Sequence, residues 1–342
     1  MVPAPNRAAV VVAALASVTV GLAAPALAQP EPSGPHPRML LNDELRSTWK
    51  KLGSQRSGAI AGAIDRCERI HNNPTEFARD GYMGLDWAQY LQSCLVAWVA
   101  TGKQDFADTS FKYFVALLDD TSNVGDGKGG DASARRDSGF AMRALGPYTA
   151  LAYDWLYDHP KMTAEVKARA RQRWKAWTDW YVQNGYRARS PGTNYQAGYL
   201  LGATMIAIAQ GKEAGGDSAR LWEHVRDDLW LGDMKKALRP GGLLDGGDWG
   251  EGWQYAPLSI AEYALGARVM RAAGVEVSTQ KFLDDVFRRH VHALAPDGRI
   301  FVGGDTQAET ANIKPVVWTL AAVALGDASA TSKAWALAEI DR

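Results

Sequence analysis

The sequence predicts an all-α fold, specifically an α/α toroid in which paired helices form an inner and an outer layer. Three observations point there. Long segments carry apolar residues at helical spacing, and little of the chain alternates as a strand would. Two of them, "YLLGATMIAIAQ" and "VVWTLAAVALG", are apolar nearly all round, as helices buried on several sides are. Polar loops bearing glycine or proline separate one segment from the next. A solenoid is the alternative, but no repeat of fixed length is visible.

The first 28 residues, "MVPAPNRAAVVVAALASVTVGLAAPALA", read as a secretory signal peptide. Arg7 precedes an apolar run, and Ala26-Leu27-Ala28 is a small-residue cleavage pattern. An uncleaved anchor is the other reading of that run. Cleavage implies a periplasmic or secreted protein without stable membrane insertion. Residues 29–38 read as a linker, and 39–342 as the toroid domain. Without Arg7 the mature chain carries a charge near −1, which argues against a general nucleic-acid binder. Cys67 and Cys94 admit two readings, a disulfide suited to an exported protein or two buried thiols on helices.

Helices are expected over 84–101, 104–119, 138–157, 162–184, 195–211, 251–273, 278–294 and 308–326. Thr163-Ala-Glu and Ser278-Thr-Gln supply recognisable starts. The chain stops at "AWALAEIDR", inside an apparent helix, so a domain truncated at its C-terminus is expected. Four polar loops, 123–139, 186–194, 243–250 and 295–309, fall between helices. In a toroid such loops gather at one end and rim a cleft, and loops carry binding residues more often than the scaffold does.

Candidate residues sit in those loops. Asp248 and Glu251 have the spacing of a capping box, with Gly246 and Gly247 supplying the turn before it. Trp249, Trp253 and Tyr255 surround this helix start and offer flat amphipathic faces. Tyr255 lies one helical turn beyond Glu251, as a core residue or as a cleft residue. Thr193 or Asn194 can cap the following helix. Arg187 and Arg189 precede Asn194, and Arg135, Arg136 and Arg143 lie around the earlier glycine-rich loop, so a local anion site is possible. None of His36, His71, His159, His224, His290 or His292 stands in a triad or metal motif, and no metal or cofactor is expected.

Five motifs, in order, resemble the heparinase II/III-like polysaccharide lyases and the related alginate lyases. They are "HPRMLLNDELRSTWKKL", "YDWLYD", "TNYQAGYLLGA", "DGGDWGEGWQY" and "PDGRIFVGGD", spanning about residues 36–310. The resemblance implies an α/α toroid followed by a β-sandwich, with the active site in the cleft between them. It also implies that Asn194 binds a uronate carboxylate and that Tyr255 is the catalytic tyrosine of a β-elimination. Arg187, Arg189, Tyr195, Trp249, Glu251, Trp253, Arg135 and Arg136 are the expected substrate contacts. The implied partner is an acidic polysaccharide or oligosaccharide. Two departures stand out: Tyr195 follows the asparagine where many relatives have histidine, and no β-sandwich sequence is present. A toroid glycoside hydrolase is the competing enzyme, with Asp86, Asp137, Asp245, Asp248 or Glu251 as its carboxyl pair. A non-catalytic glycan-binding protein is the competing non-enzyme.

Overall fold

The computed structural model describes residues 30–73, 85–120, 130–293, 295, 299, 303–305 and 313–340. The signal-peptide reading of 1–28, and parts of loops 123–139 and 295–309, lie outside them. Apart from Pro30, the described residues belong to one compact unit, Glu31–Arg342.

The fold is all-α. Asn42 caps α1 (Asp43–Ser54) by accepting from the Leu45 N–H, and α2 (Gly58–Asn72) follows. Then come α3 (Leu85–Thr101), α4 (Gln104–Asp119) and α5 (Met142–Trp155). Thr163 and Thr193 cap α6 (Ala164–Asn184) and α7 (Asn194–Gln210). Next, α8 (Gly216–Glu223) continues through a π segment, His224–Met234, into α9 (Lys235–Leu238). The last four are α10 (Ala256–Ala272), α11 (Gln280–Ala293), α12 (Ile313–Leu325) and α13 (Ala330–Ile340). Among the described residues there is no strand beyond an isolated bridge at Arg299. None of the described helices is long and apolar enough to cross a membrane.

Two layers emerge from the packing. Helices α3, α5, α7, α10 and α12 pack in series, each against the next. Between them in sequence, α4, α6, α8 and α11 pack against this series, as does α13 after it. The sequence pattern explains the division. Every residue of α7 except Tyr195 is buried, whereas α6 buries one face through Ala170, Trp174, Trp177, Thr178 and Tyr181. Buried indoles find acceptors: Trp174 donates to Thr149 Oγ1 at 2.9 Å, Trp177 to the Gly130 carbonyl at 2.7 Å and Trp230 to Thr204 Oγ1 at 2.9 Å.

Cys67 and Cys94 form a disulfide that joins α2 to α3. Cross-linking residues 27 apart contributes roughly 3–4 kcal/mol in the chain-entropy model. Residues 36–38, read as linker, are docked on the body: the Arg38 N–H donates to Asp154, near the end of α5, and the Arg38 side chain donates to the Ala209 carbonyl near the end of α7.

One helix start differs from expectation. Asp248 and Glu251 do not cap α10, which begins at Ala256 with Tyr255 as N-cap and proline in its first turn. Proline needs no N–H partner there and fixes the start. The segment before it turns through Gly246 and Gly247, both at positive φ (82° and 73°). A Cβ at Gly247 would lie 2.3 Å from the Val286 nitrogen, so only glycine lets this turn approach α11.

Candidate functional site

Helices α5, α7 and α10 pack side by side, with α7 against both of the others. Arg143, second residue of α5, makes the junction. Its guanidinium donates to Glu262 of α10 at 2.7 and 3.0 Å and to the Asn194 carbonyl of α7 at 2.6 Å. Both partners of the ion pair are buried, 6% and 5% exposed. Gly198 makes room, since a Cβ there would sit 2.7 Å from the Arg143 Cβ. Burial pushes the Glu262 carboxyl above its ordinary value, against the pull of Arg143. The same burial, reinforced by Glu262, raises the half-buried Tyr148 hydroxyl one turn along α5.

Glu251 ties the turn before α10 to this junction. Its Oε2 accepts from the Asn194 N–H at 2.7 Å and from the Trp249 indole at 3.1 Å. The carboxylate therefore caps α7, where it meets the positive end of the helix dipole, instead of its own helix. Asp248 accepts from the Trp249 N–H at 2.7 Å and pairs with Arg289 of α11 at 2.7 Å. From the other side the Asp305 N–H donates to the Glu251 carbonyl at 3.0 Å, so the last two family-like motifs touch.

Asn194 is 5% exposed, and its Oδ1 is buried without a hydrogen-bond partner among the described residues. An unpaired buried acceptor costs about 1–3 kcal/mol and calls for a ligand or water donor. Tyr255, four residues beyond Glu251, is half-buried; its carbonyl accepts from Ser259 Oγ at 3.0 Å. Its hydroxyl has no hydrogen-bond partner among the described residues.

The other expected contacts divide. Tyr195 is half-buried, donates to Asp137 Oδ1 at 3.1 Å and stands edge-on to Phe140 and Tyr186 at 5.4 and 5.0 Å. Arg187, at positive φ, donates to the Tyr186 hydroxyl at 2.9 Å and feels the charge of Glu251. Trp253 is half-buried, edge-on to His290 at 5.7 Å. Arg135 is exposed and Arg136 half-buried, on the 3-10 segment Gly130–Gly139. Two residues are placed otherwise than expected. Trp249 is 4% exposed and packs on Tyr263, its indole spent on Glu251, so it is a core ring. Arg189 is clasped by Asp233, whose two carboxylate oxygens accept from its Nε and Nη2, which occupies its charge.

Sequence reasoning missed the Arg143–Glu262 pair. The signal was present: "AMRALG" and "SIAEYALG" each place a lone charge in an otherwise apolar helix, of opposite sign. Among the described residues no group of three or more His, Cys, Asp or Glu side chains is arranged to hold a metal ion. A groove of about 700 Å³ lies elsewhere, between α6 and α8, and includes none of these residues. No protein-family model matches the chain, and no curated protein matches it.

Proposed function

We propose that this chain is the toroid part of an exported polysaccharide lyase, similar to the heparinase II/III-like enzymes, that cleaves uronate-containing polysaccharide by β-elimination. The observation that carries the reading is the Asn194 amide, buried at the first residue of α7 beside the Arg143–Glu262 pair, with its Oδ1 unpartnered among the described residues. Helix N-termini favour anions. A uronate ring brings both parts the amide lacks: hydroxyl donors for Oδ1 and a carboxylate for Nδ2.

In this reading the Tyr255 oxygen, as phenolate, takes the proton from C5. The carbanion is delocalised into the carboxylate, held by the Asn194 amide. Its electron pair then forms the C4–C5 double bond as the C4–O4 bond breaks, and O4 recovers a proton from Tyr255. A phenol, with an ordinary pKa of about 10, works as a base near neutral pH only beside positive charge. Arg187, at positive φ on the loop before α7, is the cation this reading assigns to that role. The disulfide suits a periplasmic or secreted location.

The test is incubation of the full chain with uronate polymers, followed by ultraviolet absorbance for the new C=C bond and by reducing-end analysis. Absorbance rising with chain cleavage, and lost in Tyr255→Phe, supports the lyase. Cleavage without absorbance makes the protein a hydrolase, and saturable binding without cleavage makes it a glycan-binding protein.

A further inference from the structure

We propose that Asp137 is a positioning residue: it holds the Tyr195 ring, beside Asn194, as an aromatic wall against which a sugar ring of the acidic polymer packs. The inference rests on the proposed reading of this end as a glycan cleft. Every other residue of α7 is buried, so Tyr195 is the side chain that this helix presents to solvent. Its hydroxyl donates to Asp137 Oδ1 at 3.1 Å, across 58 residues of sequence. Tyr186, 48% exposed, stands edge-on to Tyr195 with ring centroids 5.0 Å apart, and Phe140 flanks Tyr195 at 5.4 Å. Aromatic rings of this kind combine an apolar face with a polar tip, which suits the C–H face and hydroxyl rim of a pyranose. The Arg187 guanidinium, 5.2 Å from the Tyr186 centroid, adds a positive edge for an acidic sugar.

The backbone that carries Asp137 is held where L-residues rarely sit. Asp137 and Ser138 are consecutive at positive φ, 47° and 53°. Non-glycine residues there are strained, persist only where their surroundings over-determine them, and cluster at functional sites.

The surroundings do over-determine this turn. The Phe140 N–H donates to the Asp137 carbonyl at 2.9 Å, and the Tyr186 N–H to the Ser138 carbonyl at 3.1 Å. Gly139, at φ 103°, lies so close to Tyr181 that a Cβ would come within 2.4 Å of that ring. The Tyr181 hydroxyl in turn donates to the Tyr195 carbonyl at 3.1 Å. The turn is thus fixed to both tyrosines of the wall. Asp137 acts on a ligand only through Tyr195.

The experiment compares the full parent chain with Asp137→Gly, Asp137→Asn and Tyr195→Phe. Binding of a uronate tetrasaccharide is measured by calorimetry, and turnover by ultraviolet absorbance. Asp137→Gly removes the acceptor but is at ease at positive φ, so its unfolding midpoint should stay near that of the parent. Its affinity should fall roughly fivefold, the worth of one hydrogen bond, with KM raised and kcat near the parent value. Tyr195→Phe should lose as much, and the double variant no more than either alone, as coupled residues do. Asp137→Asn keeps an acceptor and tolerates left-handed backbone, so it should bind within about twofold of the parent. Where the parent binds without cleaving, affinity alone decides. If the parent binds and Asp137→Gly or Tyr195→Phe binds equally well, or their losses add, the positioning role is overturned and the glycan reading stands. An unfolding midpoint that falls together with affinity in both variants makes the bond structural and overturns the role as well. A parent that binds no uronate oligosaccharide overturns the glycan reading itself, and the wall with it.

Discussion

The two ends of the α5–α7 pair both bury polar groups, but only one end satisfies all of them. At the C-terminal end, Asp154 opposes the helix dipole and is 1% exposed. It is met by His36 Nδ1 at 2.6 Å, the Arg38 N–H at 2.8 and 3.0 Å and the Met39 N–H at 2.9 Å. His36 Nε2 reaches Glu213 at 2.9 Å, and Glu213 also holds Arg38, Arg171 and the Tyr153 hydroxyl. None of the buried polar atoms of His36, Asp154 or Glu213 lacks a partner. At the N-terminal end the Arg143–Glu262 pair is equally well bonded, yet Asn194 Oδ1 beside it is left over. The contrast separates two uses of buried polarity. A network closed on itself clamps a segment, and a network with a free valence is poised for something from outside.

The largest effect should come from the ion pair that both helps and frames the open end. Glu262→Gln leaves a buried guanidinium uncompensated and should cost roughly 3–5 kcal/mol in chemical denaturation. The double variant Arg143→Met, Glu262→Leu should recover part of that loss, because no charge then stays buried. Next, Asp154→Asn should cost roughly 2–3 kcal/mol, since hydrogen bonds to a charged acceptor are the stronger kind. Proteolysis within 31–38 should accelerate in the same variant.

A smaller effect follows from His36. Burial alone lowers its pKa, but hydrogen bonds to Asp154 and Glu213 outweigh burial and raise it above the ordinary 6.5. The folded state thus holds the proton more tightly than the unfolded chain. Its stabilisation is fully present below pH 6.5 and is lost as pH rises through the raised folded value. His36→Gln should flatten that part of a stability-against-pH curve while the remainder is unchanged.

The smallest change in stability should come from Asn194→Ala, within about 0.5 kcal/mol of the parent. It removes an unsatisfied acceptor from the first residue of α7 and leaves intact the backbone bonds to Glu251 and Arg143. A loss as large as that of Asp154→Asn would erase the contrast between the two ends.

How much of this was legible in the sequence follows from the range of each interaction. Periodicity located α3, α4, α6, α7 and α11 to within a few residues, because a buried face repeats locally. It misled at Glu251, whose spacing from Asp248 fits a local cap although its carboxylate is taken by α7, 57 residues away. Arg143 and Glu262 are 119 residues apart, and nothing local announces that they meet. His36 looked like linker because Asp154 and Glu213 lie 118 and 177 residues from it. The segment from Gly216 to Leu238 gives no helical signal in the sequence, since its π portion follows no 3.6-residue period. Asn194 and Tyr255 were singled out by resemblance, and the cap at Thr193 by residue type.

The most direct test pairs binding with stability for Asn194. Calorimetric titration of the full chain with a uronate oligosaccharide, parent and Asn194→Ala, should show saturable binding by the parent that weakens as salt rises. The variant should lose that binding while its unfolding midpoint is unchanged. A variant that binds as the parent does, or whose unfolding midpoint falls together with binding, would contradict the account and make Asn194 one more structural residue of the helix start.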